Sequence, residues 1–346
     1  MSGPHRTQAA VLERTGRPLA VRPVEVPAPG RGQALVRIAY SGVCGSQLNE
    51  ARGRKGKDPY LPHTLGHEGS GVVIGIGPGV TKVRPGDHVV LTWIKGQGLE
   101  GRTQAYRDLK GRRINTGPVS TLLGTALISE NRLVRIRKNM PLKEAALLGC
   151  AVPTGAGIVR HQVRPLKKQT VAVFGCGGVG LAAVLALAAS GARPVAVDVV
   201  PARLRAAKAA GSWRTLDASR RDPAATLLRL TGAGCDACIE CSGNTGAMES
   251  ALASVRPGGV CVIAGNPPRG SRMAVDPFEL IRGKRLVGSW GGSTDPDRDI
   301  PRYVEEFLSG RLRLGMLLGR TMPLSRVNEA LDGLESGAVR RTLVEM

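Results

Sequence analysis

The sequence feature that most constrains the fold is a glycine-rich turn between an apolar strand and an Ala-rich helix. Residues 171–180 read Val-Ala-Val-Phe-Gly-Cys-Gly-Gly-Val-Gly, a G-x-G-x-x-G pattern. In this setting Gly175 permits the tight turn, Gly177 lets the backbone approach a pyrophosphate, and Gly180 lets helix and strand pack closely. The helix N-terminus supplies unpaired N–H groups to the phosphates. The predicted cofactor-binding residues of this loop are Gly175, Gly177, Gly178, Val179 and Gly180.

An acidic residue, Asp198, ends the next predicted strand, 18 residues beyond Gly180. A carboxylate at about this spacing accepts hydrogen bonds from both ribose hydroxyls and repels a 2′-phosphate. The sequence therefore favours NAD over NADP, although nearby arginines leave NADP as an alternative. A tight turn without any ligand is the other alternative.

The texture of the sequence changes along the chain. Residues 1–152 are dense in Gly and Pro with short β-branched runs between them, which predicts a strand-rich domain. Residues 153–292 alternate apolar runs with helical stretches, which is typical of a parallel sheet. Residues 293–346 contain two amphipathic helical stretches. The predicted fold class is α/β.

Several classes of protein are disfavoured. The longest apolar stretch, Val179 to Ala189, is too short for a bilayer crossing. Met1 to Val11 contains no apolar signal region, so we expect a cytoplasmic protein without a membrane partner. The seven cysteines are an odd number spread widely, which does not indicate a disulfide framework. Metal binding or packing must account for them.

Three short motifs carry a resemblance to a known family. They are Gly42-Val-Cys44-Gly-Ser46, Gly66-His67-Glu68-Gly-Ser-Gly71 and Gly149-Cys150-Ala-Val-Pro-Thr154-Gly155. In this order, with the dinucleotide loop, Glu240-Cys-Ser-Gly243 and a tail from Ser336 to Arg341, the sequence resembles the zinc-dependent medium-chain alcohol dehydrogenases over essentially its whole length. The resemblance implies a GroES-like β-rich catalytic domain, formed by residues 1–152 and 293–346. It also implies a Rossmann doubly wound domain of parallel strands at residues 153–292.

The resemblance also implies a metal site. Cys44, His67 and Cys150 match the three protein ligands of a catalytic zinc, which leaves one position for water or substrate. Zinc lowers the pKa of a bound alcohol, whose carbon then gives hydride to the nicotinamide. A single cysteine is more often a core residue than a ligand, so this prediction depends on the three occurring together.

Further roles follow from the resemblance alone. Ser46 matches a hydroxyl that passes the alcohol proton outward, Glu68 a carboxylate near the metal, and Thr154 a residue bordering the nicotinamide. Arg203 matches a basic residue near the adenosine ribose, and Arg341 one that approaches the pyrophosphate. The alternatives are a supporting carboxylate for Glu68, a helix cap for Ser46, and solvated surface positions for the two arginines.

The sequence departs from the family at several positions. Many members bind a second, structural zinc with four cysteines, but Trp93 to Val119 contains none, so one zinc per chain is predicted. Gln47 stands where an acidic residue is common, and Asn49 where some members have a relay histidine, so the proton route beyond Ser46 departs from the family. Other cysteines and a histidine are expected to be structural, namely Cys176, Cys235, Cys238, Cys241 and His63.

The charge of the chain bears on its substrate and partners. The formal net charge is +22, and Arg52-Gly-Arg54-Lys55-Gly-Lys57 is a basic cluster. An anionic polyol or aldehyde (phosphorylated, phosphonate, nucleotide-sugar or carboxylate) is therefore one hypothesis for the substrate, and an arginine-rich composition without a specific role is the other. A nucleic-acid binder is disfavoured because aromatic residues make up only 3% of the chain.

The predicted function is thus NAD-linked, zinc-dependent oxidation of an alcohol or reduction of a carbonyl. A zinc-free reductase of an activated alkene or quinone on the same fold is the alternative. We expect a homodimer or homotetramer and no nucleic-acid partner.

Overall fold

The structure is a computed structural model that describes residues 5–337 and 340–346. It divides into two compact units. The first contains the described residues of Met1–Cys150, Asp295–Ser309 and Leu318–Met346, and the second contains Ala151–Thr294 and Gly310–Leu317. The boundaries predicted after residues 152 and 292 each differ by two residues from these. The prediction also assigned all of 293–346 to the first domain, whereas Gly310–Leu317 groups with the second unit. Its leucines are buried, and the helix Gly178–Ala189 of that unit packs against it.

The helices and strands have the following bounds. The strands are β1 (His5–Leu12), β2 (Ala20–Val26), β3 (Gln33–Gly42), β4 (His63–Thr64), β5 (Glu68–Ile76), β6 (His88–Thr92), β7 (Tyr106–Asp108), β8 (Arg113–Ile114), β9 (Thr125–Ser129), β10 (Leu133–Ile136), β11 (Thr170–Phe174), β12 (Arg193–Asp198), β13 (Arg214–Asp217), β14 (Cys235–Glu240), β15 (Val255–Ile263), β16 (Arg285–Gly288), β17 (Leu318–Pro323) and β18 (Arg341–Glu345). The helices are α1 (Gly45–Ala51), α2 (Leu142–Ala145), α3 (Ala151–Gly157), α4 (Gly178–Ala189), α5 (Pro201–Ala209), α6 (Pro223–Thr231), α7 (Thr245–Ala253), α8 (Pro277–Ile281), α9 (Pro296–Leu308) and α10 (Val327–Glu335). Among the described residues no single helix is long and apolar enough to cross a membrane, and one bent pair, Leu142–Gly149 with Ala151–Val163, reaches that length and composition only jointly.

The first unit is built from two mainly antiparallel sheets. One has the order β4-β1-β2-β7-β8, and the other has the order β10-β6-β5-β3-β18-β17 with β9 also paired to β3. Ala34, Leu35, Val36 and Ile38 of β3 are buried in a core that draws on both sheets. The predicted strand-rich, GroES-like domain is confirmed.

The second unit is a parallel sheet with the order β13-β12-β11-β14-β15-β16. The strands are apolar because helices pack on the sheet, as is usual for parallel sheets. The order reverses between β11 and β14, so the loops that follow these two strands lie side by side at the carboxyl edge. Ligands of such folds bind at this switch point. The predicted Rossmann domain is confirmed.

Candidate active site and dinucleotide site

Cys44, His67 and Cys150 come together in the first unit from three separate segments. Cys44 immediately precedes α1, His67 precedes β5, and Cys150 follows the short 3-10 helix Ala146–Gly149. One ligand atom from each, two sulfurs and an imidazole nitrogen, lies within 4.8 Å of the other two. Cys150 is buried, while Cys44 and His67 are partly exposed. The three residues therefore form one cluster that solvent can reach.

Strand pairing in the first unit explains why these segments meet. Ser41 at the end of β3 pairs with Gly69 at the start of β5, which brings the segments carrying the first cysteine and the histidine together. Glu68 pairs with Thr92 of β6. The Thr92 hydroxyl donates a hydrogen bond to the Gly149 carbonyl at 2.7 Å, which fixes the turn that carries the second cysteine.

The cluster is electrostatically coupled. A hydrogen bond from Cys150 holds the pKa of the Cys44 thiol well below its usual range against the effect of burial, and the positive charge of Arg341 lowers it further. The same hydrogen bond, together with burial, raises the pKa of Cys150. Burial lowers the pKa of His67, but its hydrogen bond to Cys44 and the charge of that thiolate outweigh burial, so this pKa is raised. The three groups therefore share protons that a bound cation would displace.

The donor set fits zinc. Two cysteine sulfurs and one imidazole nitrogen are ligands that zinc prefers, and three protein ligands leave a fourth position open. The partial exposure of Cys44 and His67 is consistent with that open position. No cysteine is present from Trp93 to Val119, so the chain lacks the four-cysteine set of a structural zinc.

Glu68 and Arg341 form a buried ion pair beside the cluster. The Arg341 Nε lies 3.2 Å from Glu68 Oε1, and Arg341 Nη1 donates to the Val43 carbonyl at 2.7 Å. Burial lowers the pKa of Arg341, but the negative charges of Glu68 and of both cysteines outweigh burial and raise it. Sequence analysis assigned Arg341 to the pyrophosphate. That role stays a prediction, while the observed contacts join Arg341 to the segment that carries Cys44.

Two residues of α1 contact Cys44 directly. The Ser46 hydroxyl donates to Cys44 Sγ at 3.8 Å, and Gln47 Oε1 accepts a hydrogen bond from the Cys44 backbone N–H at 2.7 Å. Gln47 is buried. The family resemblance marks Gln47 only as a departure and does not predict this bond. The signal was available, because a Gln three residues after an N-cap position is the spacing of a capping box.

The basic cluster near α1 is paired with acidic side chains. Arg52 forms ion pairs with Asp332 and Glu335 of α10, and Arg54 also pairs with Glu335. Lys55 lies 2.9 Å from Glu50 of α1. Sequence analysis could not detect these partners on α10, which follow about 280 residues later in the chain. The positive charge of this segment is therefore largely compensated.

His63 lies apart from the cysteine cluster. Its Nε2 is 2.8 Å from Asp58 Oδ2 and 3.7 Å from Glu50 Oε1, and its Nδ1 is 3.1 Å from the Thr64 carbonyl. These side chains form a second group of possible metal ligands among the described residues. The hydrogen bonds of His63 to Asp58 and to the Thr64 carbonyl account for the same geometry without a metal. His63 is thus in a different group from Cys44, His67 and Cys150.

The dinucleotide loop, Gly175 to Gly180 of the second unit, has the backbone conformation that its glycines were predicted to allow. Gly175 has a φ of +83°, and a Cβ on Gly180 would lie 1.9 Å from the Gly175 carbonyl oxygen. A Cβ on Gly177 would meet nothing within 4 Å, so there is room for a ligand on that side. Among the residues that the structure describes, no side chain caps the N-terminus of α4, so its first N–H groups are available to bind an anion.

Asp198, Arg203 and Thr154 are also in the second unit. Asp198 ends β12, where its carboxylate accepts hydrogen bonds from Cys176 N at 2.7 Å and Val200 N at 2.9 Å. Burial raises the pKa of the Cys176 thiol, and the positive charge of Arg203 on α5 partly opposes this rise. Arg203 therefore lies near Cys176. Thr154 of α3 is buried, and its hydroxyl has no hydrogen-bond partner among the described residues. An unpaired buried hydroxyl fits a role in holding a ligand.

Of the five remaining cysteines, four are buried and Cys241 is partly exposed. Cys235 and Cys238 of β14 and Cys261 of β15 are buried in the apolar core of the second unit. Cys176 is buried in the dinucleotide loop. All seven cysteines are free thiols.

Two families of known proteins match this chain. Residues 30–143 match the model of the alcohol dehydrogenase GroES-like domain, and residues 178–309 match that of the zinc-binding dehydrogenases. The S-(hydroxymethyl)glutathione dehydrogenase of Photobacterium damsela subsp. piscicida is 33% identical over 98% of this chain and 99% of its own.

Two solved structures are also similar. An alcohol dehydrogenase zinc-binding domain protein from Burkholderia ambifaria has a TM-score of 0.92 and 29% identity, with 99% of both chains covered. The benzyl alcohol dehydrogenase of Acinetobacter calcoaceticus has a TM-score of 0.90 and 26% identity, also over 99% of each chain. The chain therefore belongs to the zinc-dependent medium-chain alcohol dehydrogenase family and is an oxidoreductase of the alcohol dehydrogenase type.

Proposed function

We propose that the chain interconverts an alcohol and its carbonyl compound with NAD(H), at a single zinc held by Cys44, His67 and Cys150. The observation that carries the proposal is the meeting of these ligand atoms within 4.8 Å of one another, with two of the three residues partly exposed. When bound, zinc would lower the pKa of the substrate hydroxyl so that its carbon can give up hydride.

The residues around the cluster have separate tasks in this proposal. The Ser46 hydroxyl, already in contact with Cys44 Sγ, takes the proton of the alcohol and passes it outward. Gln47 fixes the backbone of Cys44. Arg341 contacts both the carbonyl of Val43, the residue before Cys44, and the carboxylate of Glu68. Holding ligand segments in this way is what residues behind a metal site commonly do.

NAD is the proposed cofactor. The loop Gly175 to Gly180 would bind the pyrophosphate, with Arg203 near the adenosine ribose and Thr154 and Val179 beside the nicotinamide. The carboxylate of Asp198 keeps acceptor capacity beyond its two backbone hydrogen bonds, because each oxygen has two lone pairs. Its negative charge opposes a 2′-phosphate, which supports NAD over NADP.

The substrate is proposed to be a primary alcohol. The names of two similar proteins denote compounds with a hydroxymethyl group, S-(hydroxymethyl)glutathione and benzyl alcohol. An anionic substrate stays a prediction, and the pairing of Arg52, Arg54 and Lys55 with carboxylates reduces the support that the basic cluster gave it. Turnover with S-(hydroxymethyl)glutathione and with phosphorylated alcohols, measured against benzyl alcohol, tests the anionic class. A clear preference for the neutral alcohol would contradict it.

A homodimer or homotetramer is the proposed assembly. Phe278, Ile281 and Trp290 are 59%, 76% and 81% exposed and flank β16, the edge strand of the parallel sheet. Large exposed apolar groups beside an open sheet edge favour association. Sedimentation at micromolar concentration tests this, and a monomer would contradict it. Cytoplasmic location stays a prediction from the sequence.

The site is tested by replacing Cys150 with Ser. We expect turnover to fall by about 100-fold or more, as after loss of a metal ligand or its support, with NADH binding retained. The matched control is Cys261→Ser, which changes another buried cysteine, in the core of the second unit. Normal turnover in Cys150→Ser would show that the cluster is not the catalytic site.

A further inference from the structure

The turn at residues 241–243 lies directly against the dinucleotide loop. It follows β14, the neighbour of β11, and the Cys241 N–H donates to the Phe174 carbonyl at 2.7 Å. A Cβ on Gly175 would lie 2.6 Å from the Ser242 nitrogen. The first glycine of the loop therefore rests on the backbone of this turn, and no larger residue would fit between them.

The same turn is held from its other side. Gly265 follows β15, and a Cβ on Gly265 would lie 2.2 Å from the Gly243 nitrogen. The turn thus fills the space between the segments that follow β11 and β15. A displacement of the turn would therefore move the dinucleotide loop.

The carboxylate of Glu240 anchors this turn. Glu240 is the last residue of β14 and is fully buried. Its Oε1 accepts hydrogen bonds from Ser242 N at 2.6 Å, from Gly243 N at 3.0 Å and from the Ser242 hydroxyl. Burial raises the pKa of Glu240, and these hydrogen bonds offset only part of that rise. A buried carboxylate is unfavourable unless it is hydrogen-bonded. Because its hydrogen bonds come from Ser242 and Gly243, Glu240 fixes the conformation of the turn.

We propose that Glu240 is a positioning residue for the dinucleotide. By holding residues 241–243, it supports Gly175 and the start of α4, where the pyrophosphate is proposed to bind. In this proposal Glu240 acts through the turn and does not contact the cofactor. The inference rests on the proposed cofactor site. It adds a residue that supports the loop Gly175 to Gly180 through the turn at residues 241–243.

The experiment measures NADH binding to the zinc-loaded full-length chain by fluorescence titration. We expect Glu240→Ala to raise the Kd about tenfold, and Glu240→Gln, which keeps one acceptor oxygen, to raise it by about threefold. In turnover, the KM for NAD should rise more than kcat falls, because a misplaced loop weakens binding. Zinc content should not change.

The matched control is Asp236→Asn, on the same strand but at its opposite end. Asp236 accepts hydrogen bonds from Thr170 N at 2.8 Å and Arg256 Nε at 2.9 Å, so its replacement also removes a bonded carboxylate from β14. We expect its NADH affinity to stay within about twofold of the unchanged chain. If Asp236→Asn weakens NADH as much as Glu240→Ala does, the effect is general loosening of the sheet, and the inference is wrong.

Two further outcomes are decisive. If Glu240→Ala does not fold, Glu240→Gln carries the test, and an unchanged Kd in Glu240→Gln would overturn the inference. If the unchanged chain binds zinc but not NADH, the proposed cofactor site fails, and that failure is seen before any variant is made.

Discussion

At the residue scale, the buried pair of Glu68 and Arg341 lies beside the cluster of Cys44, His67 and Cys150. Both side chains are buried, and their ion pair is 3.2 Å long. Such a pair contributes little net stability compared with apolar residues, but loss of one partner leaves an uncompensated buried charge. The Arg341 side chain also satisfies the carbonyl of Val43, next to Cys44. The pair therefore contributes both to the stability of the fold and to the position of Cys44, a proposed zinc ligand.

Arg341→Met should lower the free energy of unfolding by about 3–5 kcal/mol, because the buried carboxylate of Glu68 loses the compensating charge of Arg341. Urea denaturation measures this change. The double variant Glu68→Gln with Arg341→Met should recover part of the loss, since no unpaired charge remains. Equal destabilisation in the single and double variants would mean that packing, and not the ion pair, accounts for the effect.

A second prediction at this scale concerns Asp198. Asp198→Asn keeps one acceptor oxygen for the backbone N–H groups but removes the charge that opposes a 2′-phosphate. We expect the ratio of kcat/KM for NADP to that for NAD to rise about tenfold, which corresponds to about 1.4 kcal/mol. Asp236→Asn serves as the control for loss of a carboxylate in the same unit. An unchanged ratio would remove Asp198 from the choice of cofactor.

At the element scale, α1 and α10 are joined by the ion pairs of Arg52 with Asp332 and Glu335. The side chains of Arg52 and Glu335 are 24% and 35% exposed, so each pair contributes at most about 1 kcal/mol and is screened by salt. Their main effect is on charge, because they compensate the cations that follow α1. The basic composition of this segment therefore overstates its surface potential.

Strands β7 and β9 are joined by a buried tyrosine. The Tyr106 hydroxyl accepts a hydrogen bond from Leu127 N at 2.9 Å, and burial raises the pKa of Tyr106 to about 12. An unfolded tyrosine has a pKa near 10. The folded state thus holds this proton more tightly, so its contribution to stability is complete below pH 10 and is lost as the pH rises towards 12.

From this difference, the free energy of unfolding should fall by about 2–3 kcal/mol between pH 10 and pH 12 through Tyr106 alone. Other groups titrate in the same range, so the measurement compares the unchanged chain with Tyr106→Phe by urea denaturation across this range. The variant should be less stable at pH 9 because Leu127 N loses its partner, and its loss at high pH should be smaller. Parallel pH profiles would show that Tyr106 does not titrate on unfolding.

At the scale of the whole molecule, much of the fold could be predicted from local patterns. The glycine pattern from Gly175 to Gly180 predicted a strand, a turn and a helix, because each glycine meets a local steric requirement of that arrangement. The alternation of apolar runs with helical stretches predicted the parallel sheet. The segment Gly310–Leu317 could not be placed in this way, because its leucines would be equally apolar on either unit.

The site was predicted only in part. The sequence order of the motifs carrying Cys44, His67 and Cys150 predicted the cluster through a family resemblance. The contacts of Arg341 with Glu68 and of Arg52 with Glu335 could not be predicted, because both join residues more than 270 positions apart and depend on tertiary packing. Sequence patterns indicate which residues share a strand or a helix. They do not indicate which charged side chains, distant in the chain, contact each other.

The central claim concerns one zinc held by one cluster, and elemental analysis tests it most directly. The full-length chain, purified with zinc present and freed of loosely bound metal, should contain about one zinc per chain. The Cys150→Ser variant should contain markedly less while its far-ultraviolet circular dichroism is unchanged. Two zinc ions per chain, none, or full retention by the folded variant would each contradict the account.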